Sequence, residues 1–344
     1  MKIAIHHHPK SYSEQWIEYC QKNNIQYKIV DAYANDILGQ LADCDAFMWH
    51  IHHLIYKDTL YAKHLMYVIQ KLLGKISYPD FDTCWHFDDK IGQKYLFDAI
   101  DSPLVPSYIF YSQKEAIEWI RETNFPKVFK LRCGASSSNV MLIKTKEQAK
   151  HIIDKAFSNG INTFRFREQI KERYAKYKRG LVSFRNLIGL FRMWLFQTRP
   201  TEYYRYHPKE IGYVYFQDFV PNNDFDIRVF VVGNKAIAVK RLNRENDFRA
   251  SGSGNLIYDK EQIDEKCVKL AFETNHKLQM QSVAFDFLRN SNGNWVITEI
   301  SYCRDNKNNG HTGYWTNDLQ WHECNNINIC DWIIEDVIAK IKDK

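Results

Sequence analysis

The sequence predicts a mixed α/β and α+β fold in three parts: a parallel sheet with helices, a small α+β unit, and an antiparallel sheet. Three observations carry this. Up to about residue 80, short apolar runs alternate with helical patterns, the mark of parallel βα units. From Val105 that alternation breaks down and strands follow one another more closely. Two turn signals, Gly233-Asn234 and Asn292-Gly293, lie between apolar runs and imply antiparallel hairpins.

In chain order, strands are expected at 2–5, Gln26–Val30, Ala46–Trp49 and near Ile76. Helical patterns fall at Ser13–Lys22, near Ile37 and at Lys63–Leu73. No G-x-G-x-x-G follows the first strand, so a dinucleotide fingerprint is absent. The second part has strands Ser107–Tyr111, Lys127–Leu131 and Val140–Ile143, with helices Lys114–Glu122 and Lys146–Phe157. The third has strands Val214–Phe219, Ile227–Val232, Ala236–Lys240, Val283–Leu288 and Trp295–Ile300. The boundaries are expected near 1–104, 105–210 and 211–344.

Apolar residues are 45% of the 344, charged residues 26% and aromatics 15%, a globular composition that excludes disordered and collagen-like chains. Leu181–Phe196, the longest apolar stretch, is broken by Arg185 and Arg192, so no membrane span is expected. The segment Met1-Lys2-Ile3-Ala4-Ile5 lacks a signal-peptide core, and a cytoplasmic location follows as the expectation. Eight cysteines show no C-x-x-C spacing, which argues against a zinc ribbon and for buried thiols. The net charge of +6 is local: residues 164–210 hold twelve Lys or Arg against four Glu, or +8, leaving −2 elsewhere.

The second hairpin is the most informative. With Asn292-Gly293 as a two-residue loop, Asp286 faces Glu299. Opposed residues are about 5 Å apart at Cβ, where two carboxylates repel by roughly 3 kcal/mol at an effective dielectric near 20. A shared proton or a cation relieves this, and oxygen-only donors suit magnesium over zinc. Ser301, two residues on, offers a third oxygen from the same face.

Two other features call for anionic phosphate. Cys133-Gly134-Ala135-Ser136-Ser137-Ser138 is a small-residue loop between strands, open to backbone N–H contacts with phosphate, and Lys130 enters it. The Gly233-Asn234 hairpin sets Asp226 opposite Arg241, with Arg228 on the same strand face as Asp226. That cationic excess suits a phosphoryl group.

These pieces, in this order, resemble the ATP-grasp superfamily, particularly its RimK-like carboxylate–amine ligases. The likeness runs from Asp89-Lys90 through Pro126–Lys130 and its loop, Gln217-Asp218-Phe219-Val220, Asp226-Ile227-Arg228, Lys240-Arg241 with Asp247-Phe248-Arg249, and Ala284-Phe285-Asp286 to Glu299. The resemblance implies an ATP-grasp fold: a Rossmann-like N-terminal domain, a small lid holding the basic insertion 164–210, and a C-terminal antiparallel-sheet domain. ATP is expected between the last two. Lys90 and Lys130, with Ser136 and Ser137, would contact its phosphates, and Gln217, Asp218 and Val220 would line the adenine. Asp224 or Asp226 would approach the ribose. Asp286, Glu299 and Ser301 would hold Mg2+, and Arg228 and Arg241 would steady the transferring phosphoryl group. Serine replaces the family's usual asparagine at 301, and the phosphate loop is richer in serine than in glycine.

The implied reaction is ATP-dependent joining of a carboxylate to an amine through an acyl phosphate, with a kinase of the same fold or a non-catalytic nucleotide sensor as alternatives. The tail from Gly313 to Glu323 resembles that of ATP-grasp proteins from bacterial surface-polysaccharide gene clusters, which implies a sugar acid or glycan-linked carboxylate. No nucleic-acid partner is expected. Six histidines end the first and third strands (His6, His7, His8, His50, His52, His53); they read as partly exposed loop residues ahead of a substrate or metal site. In the basic segment, Phe184, Leu187, Ile188, Phe191, Trp194 and Leu195 share one helical face and Arg185 and Arg192 the other. That pattern reads first as a packed insertion or dimer interface. The second reading is a peripheral contact with an anionic membrane face or an acidic glycan.

Overall fold

Ile3, Ala4 and Ile5 are fully buried, which makes β1 (Lys2–His6) an interior strand. The computed structural model describes residues 1–134, 139–163, 170, 173–174, 177–178, 180, 182–195, 205–245, 247–304 and 310–344; for 187, 190, 191, 193 and 194 it describes the backbone. After β1 come α1 (Tyr12–Lys22), capped by the Ser11 hydroxyl, then β2 (Gln26–Val30), β3 (Ala46–Trp49) and β4 (Ile76–Tyr78). The four strands are parallel in the order β2-β1-β3-β4, as the alternation implied. The expected helix at 63–73 instead starts early, as α2 (Tyr56–Tyr67), and ends in a π-helical turn at Val68–Leu72. Next, α3 (Lys90–Ala99) starts where the Asp89 side chain accepts from the Ile91 and Gly92 N–H groups.

The chain forms two compact units, one of residues 1–52, 60–105 and 220–344 and the other of 53–59 and 106–219. The second unit contains β5 (Ser107–Phe110), α4 (Gln113–Glu122), β6 (Lys127–Lys130), β7 (Val140–Ile143), α5 (Lys146–Ala156), α6 (Phe184–Leu195) and β8 (Val214–Asp218). Its antiparallel sheet has the order β5-β8-β6-β7. Ala116 and Ile120 from α4 and Ile152 and Ile153 from α5 form its core with Phe129, Val214 and Phe216. This unit runs past residue 210 to Phe219, because β8 pairs with β5 and β6.

The remainder of the first unit contributes β9 (Phe225–Val232), β10 (Lys235–Leu242), β11 (Leu256–Ile257), α7 (Glu265–Leu278), β12 (Ser282–Arg289), β13 (Trp295–Ser301), β14 (Gly313–Thr316), β15 (Trp321–Glu323) and α8 (Ile329–Lys342). The second sheet of this unit has the order β13-β12-β9-β10-β14-β15, with β11 also on β10. Phe285, Phe287 and Ile300 are buried in a single core with Trp16 of α1, Cys267 of α7 and Ile334 of α8. The two sheets of this unit are tied by polar contacts as well: Tyr78 Oη to Ser282 Oγ at 2.8 Å, and Tyr302 Oη donating to the Ile51 carbonyl at 2.6 Å. Among the described residues, no helix is long and apolar enough to cross a membrane.

Candidate active site

Strand β12 lies between β13 and β9, so Glu299, Asp286 and Arg228 oppose one another across three adjacent strands. Directly opposed residues project from the same sheet face. One step along β9, Asp226 opposes Arg241 of β10, and Asp226 shares a face with Arg228. A single sheet face thus collects Glu299, Asp286, Arg228, Asp226 and Arg241. The intervening Phe285, Phe287 and Ile227 are buried in the core.

The charges alternate and touch. Asp286 Oδ1 accepts from Arg228 Nε at 2.6 Å and Oδ2 from Arg228 Nη2 at 2.7 Å, and Arg241 Nη2 lies 2.9 Å from the same Oδ2. Asp226 accepts from the same arginine, Nε at 2.6 Å and Nη2 at 2.5 Å. Burial pushes the Asp286 carboxyl up, but Arg228 and Arg241 outweigh it and hold the group well below the usual carboxylate range. Asp226 moves the other way, raised by burial against the pull of Arg241. It has only a share of one arginine, whereas Asp286 has two.

This corrects the expected reason for a cation. Asp286 and Glu299 are cross-strand partners as expected, but the chain's own cations relieve their repulsion. Arg228 and Arg241 neutralise Asp286, and Lys90 Nζ lies 3.0 Å from Glu299 Oε1. Lys90 is almost fully buried at the start of α3. Ser301 follows on the face of Glu299, opposite Ala284, and its hydroxyl donates to the Cys303 carbonyl at 2.9 Å.

The route to that register also differs. The loop is not the two-residue Asn292-Gly293: Asn290 bonds to the Asn294 carbonyl at 2.9 Å, leaving Ser291, Asn292 and Gly293 between, and Gly293 has φ +78°. The extra residue sets Phe287 opposite Ile297. A bulge at Thr298 then restores Asp286 opposite Glu299. Thr298 Oγ1 donates to the Asp286 carbonyl at 3.1 Å.

Other expected site residues lie in the second unit. Lys130 is buried at the end of β6, between Val140 and Tyr215. Gln217 is buried on β8 and donates to Ser107 Oγ at 3.0 Å. Asp218 pairs with Lys127 Nζ at 2.5 Å. Val220 follows β8, where the first unit resumes. Ser136 and Ser137 lie outside the described residues, as do Lys176, Arg179, Tyr203 and Tyr204 of the basic segment.

The histidines at the strand ends do structural work where buried. His6 Nδ1 accepts from the Ala32 N–H at 3.0 Å, and His50 Nδ1 accepts from Tyr12 N–H at 3.2 Å while its ring stacks on Tyr12. Asp226, a candidate for the ribose, has both oxygens on Arg241.

Residues 210–312, which hold β8 to β13, match the family model described as the RimK-like ATP-grasp domain. No curated protein matches the chain. Among solved structures it is similar to D-alanine–D-alanine ligase from Bacillus anthracis complexed with ATP. The identity is 11% over 100% of this chain and 98% of that one, with a TM-score of 0.56. It is similar to the ATP-grasp ligase PsnB complexed with minimal precursor, Mg and ADP, at 11% identity over 99% and 98% of the chains, TM-score 0.54. A third is a RimK domain ATP-grasp protein from Sphaerobacter thermophilus DSM 20745, at 13% identity over 87% and 90%, TM-score 0.50. The fold is that of the ATP-grasp proteins. Within that class, the segment bearing the carboxylate–arginine face is RimK-like.

Proposed function

We propose that this protein is an ATP- and magnesium-dependent ligase that joins a carboxylate to an amine through an acyl phosphate. The observation that carries this is the row Glu299–Asp286–Arg228, with Arg241 beside it, inside the RimK-like segment. Asp286 and Glu299 present only oxygen donors, and Glu299 is partly exposed, so this face fits a hard divalent cation once Lys90 and Arg228 give way. Asp286 and Glu299 would hold magnesium, with Ser301 alongside. A magnesium ion held by these residues would supply positive charge to offset that of the ATP phosphates.

Lys90 and Lys130 are assigned to the phosphates, together with the loop at Ser136 and Ser137. Gln217, Asp218 and Val220 are assigned to adenine. Arg228 and Arg241 are strong, forked donors suited to a phosphoryl group in transfer. A substrate carboxylate oxygen attacks the γ-phosphorus and ADP leaves; an amine then attacks the acyl carbon and phosphate leaves. The tail from Gly313 to Glu323 favours a sugar acid or glycan-linked carboxylate. The test is hydroxylamine trapping with ATP, Mg2+ and a panel of carboxylic acids that includes sugar acids. A hydroxamate with ADP and phosphate is expected. A stable phosphomonoester without hydroxamate identifies a kinase, and bound ATP that is never turned over identifies a sensor.

A second reading concerns the basic segment. Phe184, Ile188 and Leu195 of α6 are 57%, 45% and 62% exposed, and Arg185 and Arg192 are exposed beside them. An apolar stripe flanked by arginines suits the surface of an anionic membrane. Salt-sensitive sedimentation with anionic vesicles is expected, weakened by Arg173→Ser with Lys178→Ser. Binding to an acidic glycan but not to vesicles overturns this reading.

A further inference from the structure

Three buried side chains of the second unit, none of them part of the carboxylate–arginine face, converge. Cys133, His207 and Glu210 each offer a ligand atom, and these atoms all lie within 4.8 Å of one another. Cys133 lies just after β6, and the other two lie just before β8. Glu210 is fixed by paired backbone hydrogen bonds with Ile161 at 2.8 and 3.0 Å.

The contacts orient each group. His207 Nδ1 lies 2.9 Å from the Pro208 carbonyl, which only accepts, so Nδ1 is the donor in that contact and Nε2 is the ring nitrogen turned toward Glu210. That Nε2 lies 3.8 Å from Glu210 Oε1. Tyr213 donates to Glu210 Oε2 at 2.9 Å, while Oε1 is buried and accepts no hydrogen bond among the described residues. Arg132, 38% exposed at its side chain, approaches Oε1 only to 3.8 Å. A buried carboxylate oxygen without a hydrogen bond among the described residues, an imidazole nitrogen and a thiol thus lie within 4.8 Å of one another. They suit a cation small enough to sit between them.

We propose that Cys133, His207 and Glu210 form a zinc-binding site, distinct from the magnesium face and independent of the ligase reading. Sulfur, imidazole and carboxylate are zinc's donors, and the His207 Nδ1–carbonyl bond is the outer contact that orients a ligating imidazole. Edges of a tetrahedral zinc site are about 3.3–3.6 Å. The 3.8 Å between Nε2 and Oε1 already approaches this, and the sulfur needs to close by about 1.2 Å at most. The fourth position is left to water. Zinc there ties the residue that opens the Gly134–Ser138 loop to the residues that close the basic segment.

The test uses the full-length protein, stripped with chelator and given Zn2+ or Co2+ alone. One tightly held zinc per chain is expected, with affinity falling at least tenfold in Cys133→Ser, His207→Ala and Glu210→Gln. Exposed imidazoles such as His7 and His8 are general ligands for divalent ions, so stoichiometry is not the deciding readout. Cobalt bound to a cysteine thiolate gives a sulfur-to-metal charge-transfer absorption that histidine sites lack. Wild-type protein should show it and Cys133→Ser should not, with circular dichroism as the check on folding. A folded wild type without that absorption overturns the site even where a variant fails to fold, and so does its undiminished presence in Cys133→Ser.

Discussion

Arg228 grips Asp286 with two parallel hydrogen bonds from the directly opposed position on the neighbouring strand. The carboxylate proposed as a metal ligand is therefore also a structural anion, held by two guanidinium groups and almost wholly buried.

Asp286→Asn and Glu299→Gln are both isosteric, and both are expected to abolish ATP turnover by removing a metal ligand. Their effects on stability should differ. Asparagine turns one acceptor into a donor that faces a guanidinium, and breaking a buried pair this way costs about 3 kcal/mol. Glutamine retains an oxygen for Lys90 on a partly exposed side chain, at a cost of about 1 kcal/mol or less. Calorimetry with an ADP-release assay separates the two; equal melting temperatures would mean that the arginine network contributes no stability.

Arg241 spans Asp226 and Asp286, so substitutions at the first two positions should not add. In a double-mutant cycle of Asp226→Asn and Arg241→Met, a coupling of about 1–3 kcal/mol is expected from denaturant unfolding. Additive losses would show that Arg241 is held mainly by Asp286.

Both hairpins were legible in the sequence, because Asn-Gly and Gly-Asn turns and period-two alternation set their local pairing. Asp226 opposite Arg241 follows from a two-residue turn that the structure retains. Asp286 opposite Glu299 was reached through two errors that cancel, the loop at 291–293 and the bulge at Thr298. What local pattern does not encode is the pairing of β12 with β9, which brings the two hairpins together and sets Arg228 on Asp286. Helix α7 was missed where buried Thr274 and Asn275 interrupt the apolar stripe, whereas α8 was missed although Ile329, Ile333, Ile334, Val337 and Ile338 keep helical spacing. Cys133 and His207 are too far apart in the chain for a metal-ligand spacing to reveal them.

His86 gives a pH dependence. It is 1% exposed, neither ring nitrogen has a hydrogen-bond partner among the described residues, and burial lowers its pKa to about 4. The unfolded chain binds that proton below about 6.5, so stability is full above 6.5 and falls as pH drops toward 4. The loss is on the order of 2–3 kcal/mol. His311, lowered to about 3 by burial and Arg304, acts in the same direction. Urea unfolding at pH 7 and 4.5 should show a smaller difference in His86→Leu than in wild type, and an unchanged difference would count against a buried neutral imidazole.

Lys130→Ala should weaken ATP at least tenfold and AMP less than threefold, since the proposed contact is to phosphates beyond the first. Titration calorimetry with both nucleotides decides this. Equal losses would assign Lys130 to the packing of β6 alone.

The irregular hairpin of β12 and β13 has a practical use. Its tip, residues 291–294, is exposed, and the bulge at Thr298 lies between that tip and Glu299. An insert at the tip is set off from Glu299 by that bulge, so Ser291–Gly293 is the place of choice for an epitope or a fluorophore-bearing insert. A reporter grafted there moves with the strands that carry Asp286 and Glu299 while leaving their alignment alone.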